Sequence, residues 1–470
     1  MPILQGPDTP FWLRAPKLIL RPLDYVADYR RQYGDVFRVG KAEPPMVYIA
    51  DPEVIRGIFQ ADPSQFQIPS QGVGGILSTL LGEHSMLLLD GERHRRHRRL
   101  LMPPFHGERM RAYGQLICTT AEQVIGDWQV DRPFKVRQPM QEITLRVILK
   151  AVFGLKDGPR YDELRQLLST MLENLGTPLS GFFIFFDALQ KDWGPWSPWG
   201  RFVRMKAKVD QLIYAEIQDR RDRNDFSGDD ILTLMMTARD DQGNPLSDAE
   251  LHDELVTLLI AGHETTASAL SWALYWIHAL PEVQDKLRYE LDSLGDHPEP
   301  LEIANLPYLN AVCQETLRIY PVAPTTGIRI LRDPMTVKEY EFPEGTVLFP
   351  SIYLVHHSEA LYPESEHFKP ERFLERQFSP YEFLPFGGGH RSCIGMAFAM
   401  MEMKLVLATI LQRWQLELVS QKPIKPVRRG LTVAPPSGLK LKAIEDKVVS
   451  DKEFTEYSTF AVGAKHLGES

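Results

Sequence analysis

Phe386-Gly387-Gly388-Gly389-His390-Arg391-Ser392-Cys393-Ile394-Gly395 places one cysteine in a glycine-rich turn, with an arginine two residues before it and a glycine two residues after. A lone cysteine is by default a small buried hydrophobe. The neighbours argue against that default. Three glycines before the thiol and one after permit a tight backbone in which amide N–H groups approach sulfur, and the charge of Arg391 favours thiolate over thiol. A thiolate held in this way suits a soft metal. No second Cys or His stands at zinc-finger spacing, so a tetrahedral zinc site or an iron–sulfur cluster lacks ligands, whereas haem needs one axial protein ligand.

The same ten residues resemble the Phe-Gly-x-Gly-x-Arg-x-Cys-x-Gly signature of the cytochrome P-450 family, the haem-thiolate monooxygenases. Every fixed position matches, and further motifs follow in family order over nearly the whole chain. The resemblance implies a mainly α fold with a small β region, in which heme b (iron protoporphyrin IX) lies between a long central helix and the cysteine loop. It makes Cys393 the axial iron ligand, with Phe386, Gly387 and Arg391 in the cofactor-binding loop around it.

Length alone, at 470 residues, suggests about three domains; the resemblance implies one haem domain over 1–445, followed by a polar tail, 446–470. A net charge of -9 argues against a general nucleic-acid binder. Cys118, Cys313 and Cys393 are too few for a disulfide framework, which favours a reducing, cytoplasmic setting. Met1–Asp8 holds no basic stretch followed by an apolar run, so neither a secretory signal nor an anchor is expected. Leu255–Leu280 is long and apolar enough for a bilayer. Its centre, however, reads Gly262-His263-Glu264-Thr265-Thr266, and a carboxylate and an imidazole at mid-membrane cost several kcal/mol, so a buried helix and no membrane span are expected.

Ser247-Asp248-Ala249-Glu250 is a capping box, which starts that helix and lets it run to Pro281, about 50 Å at 1.5 Å per residue. Ala261-Gly262-His263-Glu264-Thr265-Thr266 resembles the family's oxygen-binding motif. Glu264 and Thr265 are the expected catalytic pair, since activating dioxygen needs protons and a hydroxyl beside a carboxylate relays them from water. The plainer alternative is a threonine bonded to its own preceding turn and a glutamate pairing a charge. Gly262 favours the functional reading by relieving crowding beside the ligand.

Gly91–Arg99 is rich in Arg and His, by default a solvated basic face. His94 and Arg98, four apart, share a helix face and can grip two carboxylates. The resemblance assigns both to the haem propionates and adds Arg329, eleven residues after Arg318, with the register open by one. It likewise makes Glu315, Arg318 and Arg372, the last within Phe368-Lys369-Pro370-Glu371-Arg372-Phe373, a buried structural triad.

Phe66–Leu89 mixes Gly, Ser and Leu without a sustained period and reads as a mobile loop. The aromatics Phe182, Phe183, Phe185, Phe186, Trp193, Trp196, Trp199 and Phe202 are either core or a lipophilic lid. Met396–Trp414 is a helix whose positive end faces the thiolate. The function implied is oxygen insertion into a C–H bond of a lipophilic small-molecule substrate, a fatty acid or terpenoid, using dioxygen. Gln71 or Arg429 stays open as a polar anchor. With no flavin or iron–sulfur domain in the chain, electrons are expected from ferredoxin and ferredoxin reductase, docking on a basic face of Arg95, Arg96, Arg99, His390 and Lys404. A haem-thiolate peroxygenase or isomerase and a haem sensor are the alternatives.

Overall fold

Ser247 starts the longest helix where the capping box places it. In the computed structural model, which describes residues 4–69, 73–105, 107, 109–154, 158–176, 190–224, 226–295 and 298–447, this central helix runs Asp248–Ala279. The Glu250 N–H donates to Ser247 Oγ at 3.2 Å, and the Ser247 N–H donates to the Glu250 carboxylate at 2.8 Å. Two amides that a helix start leaves unpaired are thereby satisfied. Pro281 opens the next helix, Pro281–Asp292. Residues Leu251–Leu259 and Thr266–Tyr275 are buried, but Ala261 is exposed and Gly262, Glu264 and Thr265 are partly so. Accessible residues midway along a helix that crosses the interior mark a cavity against it.

The helix Arg137–Phe153 makes the largest packing interface with the central helix. Gly262 lies at their crossing: a Cβ there would stand 3.0 Å from Ile148 Cδ1. The glycine therefore lets two helices approach, and the expectation that it clears space for a ligand is corrected; Ala261 is the residue open to the cavity. The main core gathers Leu255, Leu259 and Trp272 of the central helix with Leu405, Leu407 and Ile410 of the helix Met396–Arg413.

A five-stranded sheet orders its strands Val36–Arg38, Met46–Ile49, Val347–Pro350, Arg329–Leu331, Phe66–Gln67. The second and third run parallel and the other neighbours antiparallel. Val47 and Ile49 are fully buried on one face, while Tyr48 stacks with Phe37 and Phe349 on the other, with centroids at 5.8 and 5.1 Å, as a two-residue period requires. Register puts the buried Arg329 opposite Leu348. A three-stranded sheet and two hairpins complete a mainly α fold with a small β region.

Glu315, Arg318 and Arg372 meet. Arg318 donates from Nε and Nη2 to the two Glu315 oxygens at 2.6 and 2.8 Å, and Arg372 Nε reaches Glu315 at 3.2 Å. The other Arg318 protons go to the carbonyls of His356, Ser365 and His367, so all five donors of a fully buried guanidinium are used.

Two boundaries differ from expectation. Within Phe66–Leu89 a helix, Val73–Leu81, replaces the expected loop; Leu77, Leu80 and Leu81 pack on the main core, and that burial outweighs the weak propensity of Gly and Ser. Asp446 does not begin a tail: it ends the strand Lys440–Asp446 and pairs with Arg413 at 3.0 Å, while 448–470, and Gln71, lie outside the described residues. Among the described residues no helix is long and apolar enough to cross a membrane.

Candidate functional site

Gly387 and Gly389 take φ of 69° and 64°. At Gly389 a Cβ would also fall 2.8 Å from the Phe59 carbonyl oxygen, so a side chain there is excluded twice over. This backbone folds the loop on itself until the Cys393 N–H donates to the Phe386 carbonyl at 2.9 Å. Phe386 and Ile394 anchor it by packing on the main core, the same cluster that holds Leu259 and Ala267 of the central helix. Cys393 has exposed surface, yet burial pushes its thiol up, opposed by a hydrogen bond from Gly395 and the charge of Arg98. Both facts hold for a sulfur that faces an enclosed space.

Four cationic or ionisable groups converge here: His94 and Arg98 from one helix, Arg329 from a strand and Arg391 from the loop itself. Arg98, on the helix Gly91–Leu101, donates to the Ser392 carbonyl at 2.6 Å and to Ser392 Oγ at 3.0 Å. Arg329 reaches the Gly388 carbonyl at 3.3 Å and the Gly327 carbonyl at 3.0 Å; its guanidinium lies 4.9 Å from the Phe59 ring centroid, and its buried Nε has no partner. Burial, then the charge of Arg391, pulls Arg329 down to about 10. His94 stands edge-on to His390 at 5.9 Å and is pulled down to about 3, first by burial and then by Arg391, His390 and Arg98. Arg391 pairs with Asp90 at 2.9 Å and donates to the Met86 and Leu89 carbonyls. Its expected influence on the thiol is therefore corrected: Arg391 is spent on the 86–90 turn, and Arg98 is the cation the sulfur feels.

Asp90 is the single carboxylate ion-paired within this group among the described residues. Such a concentration of buried positive charge calls for anions. Two propionates and an iron that takes one sulfur meet both needs, so the residues fit heme b.

Glu264 and Thr265 adopt the plainer arrangement. The Thr265 hydroxyl donates to the Ala261 carbonyl at 2.6 Å. The Glu264 carboxylate is ion-paired with Arg137 and accepts from Gln141 Nε2 at 2.9 Å. Among the described residues no hydrogen bond joins the two side chains, so a direct hydroxyl–carboxylate link is corrected to two neighbours separately held. Sequence reading missed Arg137 and Gln141; their spacing of four on one helix was visible, their partner was not. It also missed Glu402, nearly fully buried one helix away, whose carboxyl burial pushes far up against a hydrogen bond to Thr266.

Three arginines of the expected basic docking face are paired with carboxylates, whereas Lys404 keeps its charge and His390 has no ion pair among the described residues. Arg96 holds Asp240 at 2.7 Å and Glu250 at 2.9 Å, Arg95 pairs with Glu92, Arg99 with Asp241, and Lys404 donates to the Ala304 carbonyl. Of the aromatic lid, Phe182, Phe183, Phe185 and Phe186 lie outside the described residues. Trp193 and Trp196 are exposed, while Trp199 and Phe202 belong to the core.

An interior thiol, a cation cluster for two carboxylates and a helix opened at its middle are the elements of a haem-thiolate centre. Residues 5–443 match the family model Cytochrome P450, and the chain belongs to that family, whose members bind heme b through a cysteine thiolate and act as monooxygenases. It is 36% identical over 448 residues to Putative cytochrome P450 135B1 of Mycobacterium tuberculosis, covering 95% of this chain and 92% of that one. To Putative cytochrome P450 135A1 of the same organism it is 34% identical, covering 94% and 95%. Among solved structures, retinoic acid-bound cyanobacterial CYP120A1 superposes with a TM-score of 0.80 at 26% identity, covering 94% of this chain and 99% of that one. The heme domain of cytochrome P450DA reaches 0.82 at 23% identity, covering 95% and 97%.

Proposed function

We propose that the chain is one haem domain in which Cys393 is the axial ligand, His94, Arg98 and Arg329 take the propionates, and Phe386, Gly387 and Arg391 shape the loop. Its reaction is hydroxylation of a lipophilic substrate, a fatty acid ahead of a terpenoid, in a cytoplasmic setting, with electrons from a separate ferredoxin and its reductase. The observation that carries this reading is the opened centre of the central helix, Ala261–Thr265, in a core otherwise lined by Leu, Ile and Phe. The relative solved with retinoic acid, an isoprenoid that carries a carboxylate, supports a lipophilic acid of either class. Haem, when bound, supplies the chemistry that activates dioxygen. The protein supplies an apolar enclosure and a proton path. Thr265 holds its hydroxyl proton against the Ala261 carbonyl, and Glu264 holds its charge against Arg137 until one contact is released.

Burying each substrate CH₂ is worth about 0.8 kcal/mol, roughly four-fold in affinity. Fatty acids of increasing length, titrated against the ferric holoprotein and followed by the haem spin shift, should therefore bind progressively tighter until the cavity is full. Flat affinity across lengths, or preference for small polar compounds, sinks the lipophilic reading.

Thr265→Ala should leave substrate affinity nearly unchanged while dioxygen consumption yields less product and more peroxide, because a proton donor is lost and no binding group is. Equal product per dioxygen consumed removes Thr265 from the relay. A peroxygenase has no need of Glu264 and Thr265, so wild-type turnover with peroxide alone matching turnover with reduced ferredoxin decides for that alternative.

A further inference from the structure

Arg429 ends the strand Val427–Arg429 of a two-residue hairpin whose return strand, Thr432–Ala434, packs on the central helix. Its neighbour Arg428 is engaged, donating to the Gly430 and Leu18 carbonyls at 3.0 and 3.2 Å. Arg429 is different. Among the described residues its guanidinium has neither a hydrogen bond nor an ion pair, and its Nε is buried without a partner.

Among the described residues no carboxylate is bonded to it. The guanidinium packs against Gly176, which follows the helix Pro159–Leu175; a Cβ on that glycine would lie 2.0 Å from Arg429 Nη2 and 2.6 Å from Cζ. The charges it feels are those of Arg137, Glu264 and Glu173. Glu264 already serves Arg137 and Gln141, and Glu173 is an exposed residue. Two guanidiniums thus stand near one committed carboxylate, one residue before Thr265, while the exposed Glu173 is bonded to neither. The buried Nε has no partner while the Nη groups stay accessible, so an anion from outside the chain can reach the guanidinium and pair with it.

We propose that Arg429 is the anchor for a carboxylate on the substrate, so that the chain selects lipophilic acids over neutral lipids of the same length. The guanidinium offers two parallel N–H donors matched to a carboxylate, and the apolar remainder of the acid extends along the accessible face of the central helix. A side chain at position 176 would push the guanidinium aside. This inference rests on the lipophilic-substrate reading and names the group that reading leaves open.

The test uses the ferric holoprotein and the haem spin shift, with a long-chain saturated fatty acid and its methyl ester as probes. Wild type should bind the acid more tightly than the ester. Arg429→Leu should weaken the acid ~10-fold or more, the usual scale for losing a charge-assisted hydrogen bond, with ester affinity unchanged. Arg429→Lys should restore part of the acid affinity, as a point charge without the fork. Equal loss for acid and ester in Arg429→Leu, or equal affinity for both in wild type, overturns the anchor while leaving the lipophilic reading intact. Binding of neither probe by wild type overturns both. Where Arg429→Leu does not retain haem, Arg429→Gln takes its place under the same criteria.

Discussion

Cys393→Ser is expected to abolish the strongly red-shifted Soret band of the reduced, carbon monoxide-treated holoprotein and to bring product formation down to background. Thiolate sulfur is a far stronger donor than a hydroxyl or an imidazole, and the band reports that donation. The loop geometry should survive, because it depends on the Cys393 N–H bond to the Phe386 carbonyl and on Gly389 against Phe59, none of which involves sulfur. Haem content and the far-ultraviolet spectrum therefore separate loss of ligation from loss of fold. Cys118→Ala and Cys313→Ala serve as controls. Cys313 is fully buried in the main core, where burial pushes its thiol up to about 12, and Cys118 is half-buried and likewise pushed up. Both variants should keep the band. A Cys393→Ser protein that also keeps it assigns the axial ligand elsewhere.

What was legible in the sequence was whatever is carried by residues close together in the chain. Ser247 and Glu250 cap a helix from three residues apart, and the glycines at 387–389 impose their turn locally. His94 and Arg98 share a face by spacing alone. Arg329 was placed through resemblance, and the strand delivered it to the Gly388 carbonyl. What was not legible depended on partners far along the chain. Glu264 meets Arg137 and Gln141 across 127 and 123 residues, and Arg96 meets Glu250 across 154. A basic run reads as a solvated face until its carboxylates are known, which is why a docking surface was expected where Arg96, Arg95 and Arg99 are in fact paired. The same holds for Gly262, whose reason lies in Ile148 on another helix, and for the Val73–Leu81 helix, whose stability comes from the core it covers.

Glu315→Gln should produce a large loss of stability for so conservative a change. The carboxylate is fully buried and is the only ion-pairing partner among the described residues of two guanidiniums, Arg318 at 2.6 Å and Arg372 at 3.2 Å; it also accepts the Lys369 N–H at 2.8 Å. An amide removes the charge and turns an N–H₂ group toward donors. Breaking a buried pair from one side costs about 3–5 kcal/mol, because the charge left behind is neither solvated nor paired. Against a typical total of about 5–15 kcal/mol, that is enough to empty much of the folded population. The neighbouring Glu371→Gln is the control: it loses the contacts of Glu371 with Lys286 and Tyr308 at 2.6 and 3.1 Å, where the Lys286 pair is more than one-third exposed on both sides and worth about 0–1 kcal/mol. Urea unfolding of both holoproteins, with haem retention read in parallel, checks the difference. Glu315→Gln should unfold at markedly lower denaturant and shed haem, because Arg318 ties the helix Pro307–Ile319 to the carbonyls of His356, Ser365 and His367 that lead toward the cysteine loop. If the two variants unfold together with the wild type, the triad carries no more stability than a surface pair, and the fold around the haem is held by its apolar core alone.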